Sequence, residues 1–339
     1  MCFWLKLPFS KPFVCNECTG DDMPGNIFSY AIAVSGHHQL WISLVSLAIA
    51  AISVAPIALQ QRIINDAIEG KDFNLLALLC GLLLATILIR VALKYLLGLY
   101  QNWIAQSAIR TERLSLASDF AETSKSEIEA LEKEQSDENN GAGKAVSVIN
   151  NEIDIVGVFV GAGISDLVAD GGKLLFAIGF MIWVDPLIAL VATAFILPQV
   201  IIVPWLQMIL NRLIRERTDQ LRNLSDEVTE LRDDRQSIPD AFENDLDAIF
   251  TNRIKAAAIK FLIKAIVNTL NALAPLSVLA FGGYMFIQGE TTIGTIVAFT
   301  TGFDRASGPL RALVNYYRLA SVRHEQYTKI REWKQRLGD

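Results

Sequence analysis

The sequence predicts an all-α membrane protein with six transmembrane helices and long helical extensions outside the membrane, and three observations predict it. Apolar residues make up 52% of the 339, charged ones only 19%, and the mean hydropathy is +0.35, which is too apolar for a soluble domain of this size. Six runs, 41–59, 75–97, 167–184, 187–208, 266–287 and 293–313, approach the ~20 apolar residues that a spanning helix needs. The connections after the second and fourth runs keep helical spacing instead of turning at once.

Ahead of the first run, residues 1–37 hold Cys2, Cys15 and Cys18, and Pro8 and Pro12 interrupt what would be a signal-peptide core. "CNEC" with His37 and His38 offers half of a zinc set. Structural zinc takes four ligands at short paired spacings, and the second pair is missing. The segment therefore reads as a disordered cytoplasmic tail, with Met23 an alternative start.

The second run continues as helix through "GLYQNWIAQSAIRTERLSLASDFAE". The acidic stretch 127–140 then reverses the chain, as a solvated linker or as a contact surface for a partner, and "AVSVINNEIDIVGVFVGAG" leads back to the third run. Gly157 and Gly161 form a GxxxG pair that permits close helix packing. "VDPL" joins the third and fourth runs. Beyond the fourth, Leu210, Ile214, Leu221, Leu224, Val228 and Leu231 continue a helical seam. Pro239 breaks it, and Leu246, Ile249, Ile254, Ala258 and Phe261 lead into the fifth run. "QGETT" joins the fifth and sixth. The organisation is thus a tail, 1–37, a transmembrane domain, 38–325, and a C-terminal cytoplasmic tail, 326–339.

Lys and Arg crowd the two long connections and the last stretch of chain, whereas "VDPL" and "QGETT" hold none. Basic loops stay on the cytoplasmic side, so both termini and both long loops are expected there, in a multi-pass protein of the cell (inner) membrane. Arg62 and Lys71, in the first outer loop, run against the rule.

Four of the helices carry polar stripes. In the sixth, Thr301, Asp304, Gly308, Arg311, Asn315 and Arg318 recur in steps of three and four, with Arg305 beside them. The second carries Arg90, Lys94 and Gln101; the third Asp166, Asp170 and Lys173; the fifth Lys260, Lys264, Asn268 and Asn271. A lone charge in lipid costs several kcal/mol, so such residues face a bundle interior or an aqueous cavity. Two readings follow: the stripes line a shared substrate path, or they pair with one another and set helix register.

No constellation for chemistry is visible. "GAGKA" has Glu138 where a phosphate loop needs its first Gly and Ala145 where it needs Ser or Thr. In "MIWVDP", Asp185 precedes Pro186 inside the apolar region and makes a poor magnesium ligand, and His37, His38 and His324 form no triad with a nucleophile. The chain is expected to hold no cofactor, no metal and no nucleic acid.

"GETTIGTIVAFTTGFDRASGPLRALV", "GAGKAVSVINNEIDIVGVFV" and "SDEVTELRDDRQSIPDAFENDLDAIF" resemble three stretches of the transmembrane domain of type I ABC exporters. They are similar to the sixth helix with its short outer loop, the entry to the third helix, and the second intracellular loop. The resemblance runs from about His38 to the C-terminus. It implies a half-transporter of six helices that forms a homodimer, or a heterodimer with a related half, with helices four and five reaching across to the partner. It also implies ATPase domains that bind ATP and Mg and press on loops 99–152 and 209–262. By position, the second coupling helix is Gln236, Ser237, Ile238, Pro239, Asp240 and Phe242. The first lies within 124–140, which is longer and more acidic than the family pattern.

No Walker A, signature or Walker B motif occurs in the 339 residues. The leading reading is an export permease powered by a separately encoded ATPase. Its rivals are an ATPase-less scaffold or regulator derived from the same bundle, and an ion-coupled carrier using Asp166, Asp170 and Asp304.

Overall fold

The computed structural model describes residues 23–122, 151–234 and 240–338. Among them the regular structure is helical throughout: α1 (Ile27–Ser35), α2 (His37–Ile52), α3 (Ala55–Arg62), α4 (Phe73–Glu122), α5 (Ile153–Val158), α6 (Ile164–Val184), α7 (Pro186–Ala194), α8 (Ile196–Asp234), α9 (Asp240–Ile287) and α10 (Ile293–Gly338). Two π-helical turns, Ile63–Ile68 and Phe159–Gly163, continue α3 and join α5 to α6. The chain divides into two compact units, residues 1–179 with 308–339, and residues 180–307.

Local chemistry explains most boundaries. Asp72 starts α4 by accepting from the Asn74 and Leu75 amides at 2.9 and 3.1 Å, and Asp185 caps α7 through the Leu187 and Ile188 amides at 3.0 and 3.1 Å. Asp185 in "VDP" is therefore a helix start, with Pro186 at the first helical position, where its missing N–H is no loss. Gly289, at φ +78°, reverses the chain between α9 and α10.

In the first unit, Met23, Ile27, Tyr30, Val34, Ile104, Ile109, Phe159 and Tyr327 belong to one apolar core. In the second, Met181, Ile188, Ala192, Val278, Met285, Ile296 and Phe299 form another, and α8 packs along α9. Along that pair Leu210 and Ile249 are buried while Leu221, Leu246, Ile254 and Phe261 stay exposed, so the expected seam is used only in part.

The structure adds detail at both ends of the chain and at the sixth run. Residues 27–35, placed in a disordered tail, form a packed helix because Ile27, Tyr30, Ala31 and Val34 share one buried face; Cys2, Cys15 and Cys18 lie outside the described residues. In the C-terminal tail, residues 326–338 continue α10, held by buried Tyr327, Ile330 and Lys334. Among the described residues five helices are long and apolar enough to cross a membrane, within 37–68, 73–118, 153–184, 186–217 and 242–287. Residues 293–313 form helix as expected but do not reach that hydropathy, because Asp304, Arg305 and the small residues around them dilute the run.

Candidate functional site

In the first unit, α4 and α6 bring two of the polar stripes together. Gln101 Nε2 donates to Ser165 Oγ at 2.7 Å and reaches Asp166 Oδ1 at 3.5 Å. The approach depends on glycine. A Cβ on Gly161 would run into the backbone carbonyl oxygen of Gln101, and one on Gly157 into the Ile109 side chain. The GxxxG pair is thus the contact that seats the third helix on the second, and the π turn Phe159–Gly163 sits at the same place, one turn before Asp166.

From α10, Arg323 lies over the Phe159 ring at 5.8 Å and acts electrostatically on Asp166. The Tyr316 hydroxyl is buried there with no hydrogen-bond partner among the described residues. One turn along α6, Lys173 Nζ donates to Asp170 Oδ1 at 2.8 Å, an ion pair within a single helix. Arg90 and Lys94 lie ~16 and ~10 Å from Gln101 along α4 at 1.5 Å per residue; Arg90 is half-buried and Lys94 exposed. The arrangement offers a carboxylate, a guanidinium, an amide and a buried phenol, groups suited to polar binding.

In the second unit, Gln199, buried on α8, donates to Asn271 Oδ1 on α9 at 3.1 Å. Lys264 and Asn268, on the same helix, are exposed. On α10, which belongs to the second unit up to Ser307 and to the first from Gly308, Phe299, Phe303, Ala306 and Leu310 are buried. Asp304, Gly308, Arg311 and Asn315 are exposed, and Thr301 and Arg305 half-buried. The periodic stripe is therefore a true helix face, with the aromatic residues anchoring the opposite one. Asp304 through its carbonyl accepts from Ser307 Oγ at 2.9 Å.

The coupling candidates are less complete. Asp240 opens α9 and Phe242 is half-buried on it, whereas Gln236, Ser237, Ile238 and Pro239 lie outside the described residues, as does the acidic stretch 127–140. Sequence reasoning passed over Ser165, Gln199 and Tyr316, each uncharged, and treated Arg323 only as part of the basic tail. Ser165 and Tyr316 adjoin Asp166 and Asn315, which is the signal that could have found them.

The ABC transporter transmembrane region matches residues 40–231. The chain belongs to that family. Among its relatives, YgaD of Bacillus subtilis (strain 168), named as a multidrug export ATP-binding/permease protein, is 25% identical over 272 residues, covering 76% of this chain and 45% of YgaD. A protein of Staphylococcus aureus (strain NCTC 8325 / PS 47) with the same kind of name is 26% identical over 181 residues, half of this chain and 31% of the relative. The chain thus spans less than half the length of either. The resemblance to type I ABC exporters holds, and this is an integral membrane transporter domain of the exporter bundle type.

Proposed function

We propose that the chain is the transmembrane permease unit of an ABC exporter, forming the substrate path and holding no catalytic site of its own. Nucleotide-binding ATPase domains outside these residues, on a separate polypeptide, bind ATP and Mg and dock on loops 99–152 and 209–262. Two halves, identical or related, complete the transporter in the cell (inner) membrane, with both termini in the cytoplasm and residues 293–313 as the sixth span. The names of the relatives join ATP-binding to permease and specify multidrug export, which supports an ATP-driven path for drug-like compounds.

The observation that carries this reading is the exposed polar face of α10, with Asp304, Gly308, Arg311 and Asn315 opposite buried aromatics. Charges are expensive in lipid and belong where water or substrate reaches them. ATP-driven closure of the ATPase domains would bias the bundle between two arrangements that present this face to opposite sides.

The first experiment is affinity capture of the tagged protein from its native membrane, with mass spectrometry of what accompanies it. A stoichiometric chain carrying GxxxxGK[ST] supports the reading; recovery of the protein alone as a dimer favours a scaffold. With the complex in proteoliposomes, Arg311→Ala or Asp304→Ala should lower substrate-stimulated ATP hydrolysis about tenfold, the effect of losing one charged contact, with normal assembly. Loss of assembly instead would support the register-setting role.

A further inference from the structure

Lys334 and Glu112 are buried, with 3% and 8% of their surface exposed, each towards the C-terminal end of a long helix. The Lys334 ammonium donates to Glu112 Oε2 at 2.6 Å and to Ser115 Oγ at 3.1 Å. The Tyr30 hydroxyl donates to the other oxygen of the same carboxylate. The three residues come from α1, α4 and α10, and Glu112 is 82 residues from Tyr30 and 222 from Lys334.

Further ties surround this cluster. The rings of Tyr30 and Tyr327 pack at 4.8 Å, and the Tyr327 hydroxyl donates to the Pro24 carbonyl oxygen at 2.5 Å. Lys329 on α10 lies 3.9 Å from Glu152, and Arg113 on α4 pairs with Asp154 on α5 at 2.8 Å.

An apolar interface of the same size would hold these helices at least as well, because a desolvated ion pair seldom gains net stability over packed side chains. What the cluster adds is discreteness. A smooth apolar contact allows one helix to slide on another, whereas two donors from different helices on one carboxylate are satisfied in a single register, and any shift strands a buried charge.

We propose that Tyr30, Glu112 and Lys334 form a conformational clamp in which α1 straps the ends of α4 and α10, so that both helices move as one element. A displacement applied at the end of α10 is then passed to α4 and to the connection that leaves it. In the orientation proposed above this is the end that meets the ATPase, but the clamp and its test stand without that reading.

Hydrogen exchange of the full chain in detergent micelles, followed at residues 24–34 and 324–336, tests it. Lys334→Met should speed exchange about a hundredfold in both stretches together, since it strands the Glu112 carboxylate, and should leave 186–194 protected. Tyr30→Phe keeps the ring and removes one hydrogen bond, so it should speed both stretches about tenfold; it serves where Lys334→Met does not fold. Faster exchange confined to the stretch that carries the substitution, in either variant, overturns the clamp.

Discussion

The two compact units solve the same problem with different chemistry. Residues 180–307 are held by an apolar core in which Met181, Ile188, Val278 and Phe299 interlock, and the polar cross-link Gln199–Asn271 is neutral. Residues 1–179 with 308–339 have a larger apolar core, and into it they set an ion pair and a tyrosine hydroxyl from stretches far apart in sequence: Glu112, Lys334 and Tyr30. An apolar core tolerates small adjustments and loses strength gradually as atoms are removed. A core with buried charges holds one arrangement and fails abruptly when a partner is lost. The difference fits a division of labour in which one unit can yield and the other keeps its register.

The sharpest way to break this contrast is in the apolar unit. Phe299→Ala removes a ring that is fully buried and should cost about 4 kcal/mol, read by denaturant titration in micelles; a loss below about 1 kcal/mol would mean the core collapses to fill the gap. Next, Gly161→Ala pushes a methyl group against the Gln101 carbonyl and should cost about 3 kcal/mol. Its diagnostic is separation of α4 from α6, seen as lost disulfide trapping between cysteines placed at Gln101 and Ser165.

Gln199→Leu should be milder, about 1.5 kcal/mol, since it leaves Asn271 short of one partner. A gain in stability would show that the neutral cross-link is as replaceable as its surroundings. The smallest effect is expected at Glu152, where burial raises the carboxyl above its ordinary 4.5 and Lys329 opposes the shift. A carboxyl raised on folding holds more protons folded than unfolded, so its contribution declines as pH rises from about 4.5 towards neutrality. Glu152→Gln should therefore be slightly the more stable at pH 7, by less than about 0.5 kcal/mol, and equal to the parent below pH 4.

The helices of both units were legible because apolar runs and turn residues act locally: "VDP" and "QGETT" mark chain reversals whatever surrounds them. The α10 stripe was legible for the same reason, since helical spacing alone puts Asp304, Arg311 and Asn315 on one face. The Gln101–Asp166 contact was half legible, as two polar residues on neighbouring apolar helices without a stated partner. Glu112 and Lys334 were not legible, because a charge in an amphipathic extension looks alike whether it faces water or a distant carboxylate. Helix α1 was missed similarly: its apolar face is short, and its partners lie far along the chain.

That distance has a consequence for biosynthesis. The contact between Pro24 and Tyr327 spans 303 residues, and at ~5–20 residues per second of chain growth about 15 to 60 seconds separate the synthesis of its two halves. Throughout that interval α1 has α2, α4 and the π turn Phe159–Gly163 to pack against, while Tyr30 waits for the Tyr327 ring and Glu112 for the Lys334 ammonium. The strap can close only once residues 327 and 334 have been made, so a nascent protein that stalls before residue 327 is left with that face of α1 uncovered, where quality-control proteases can recognise it.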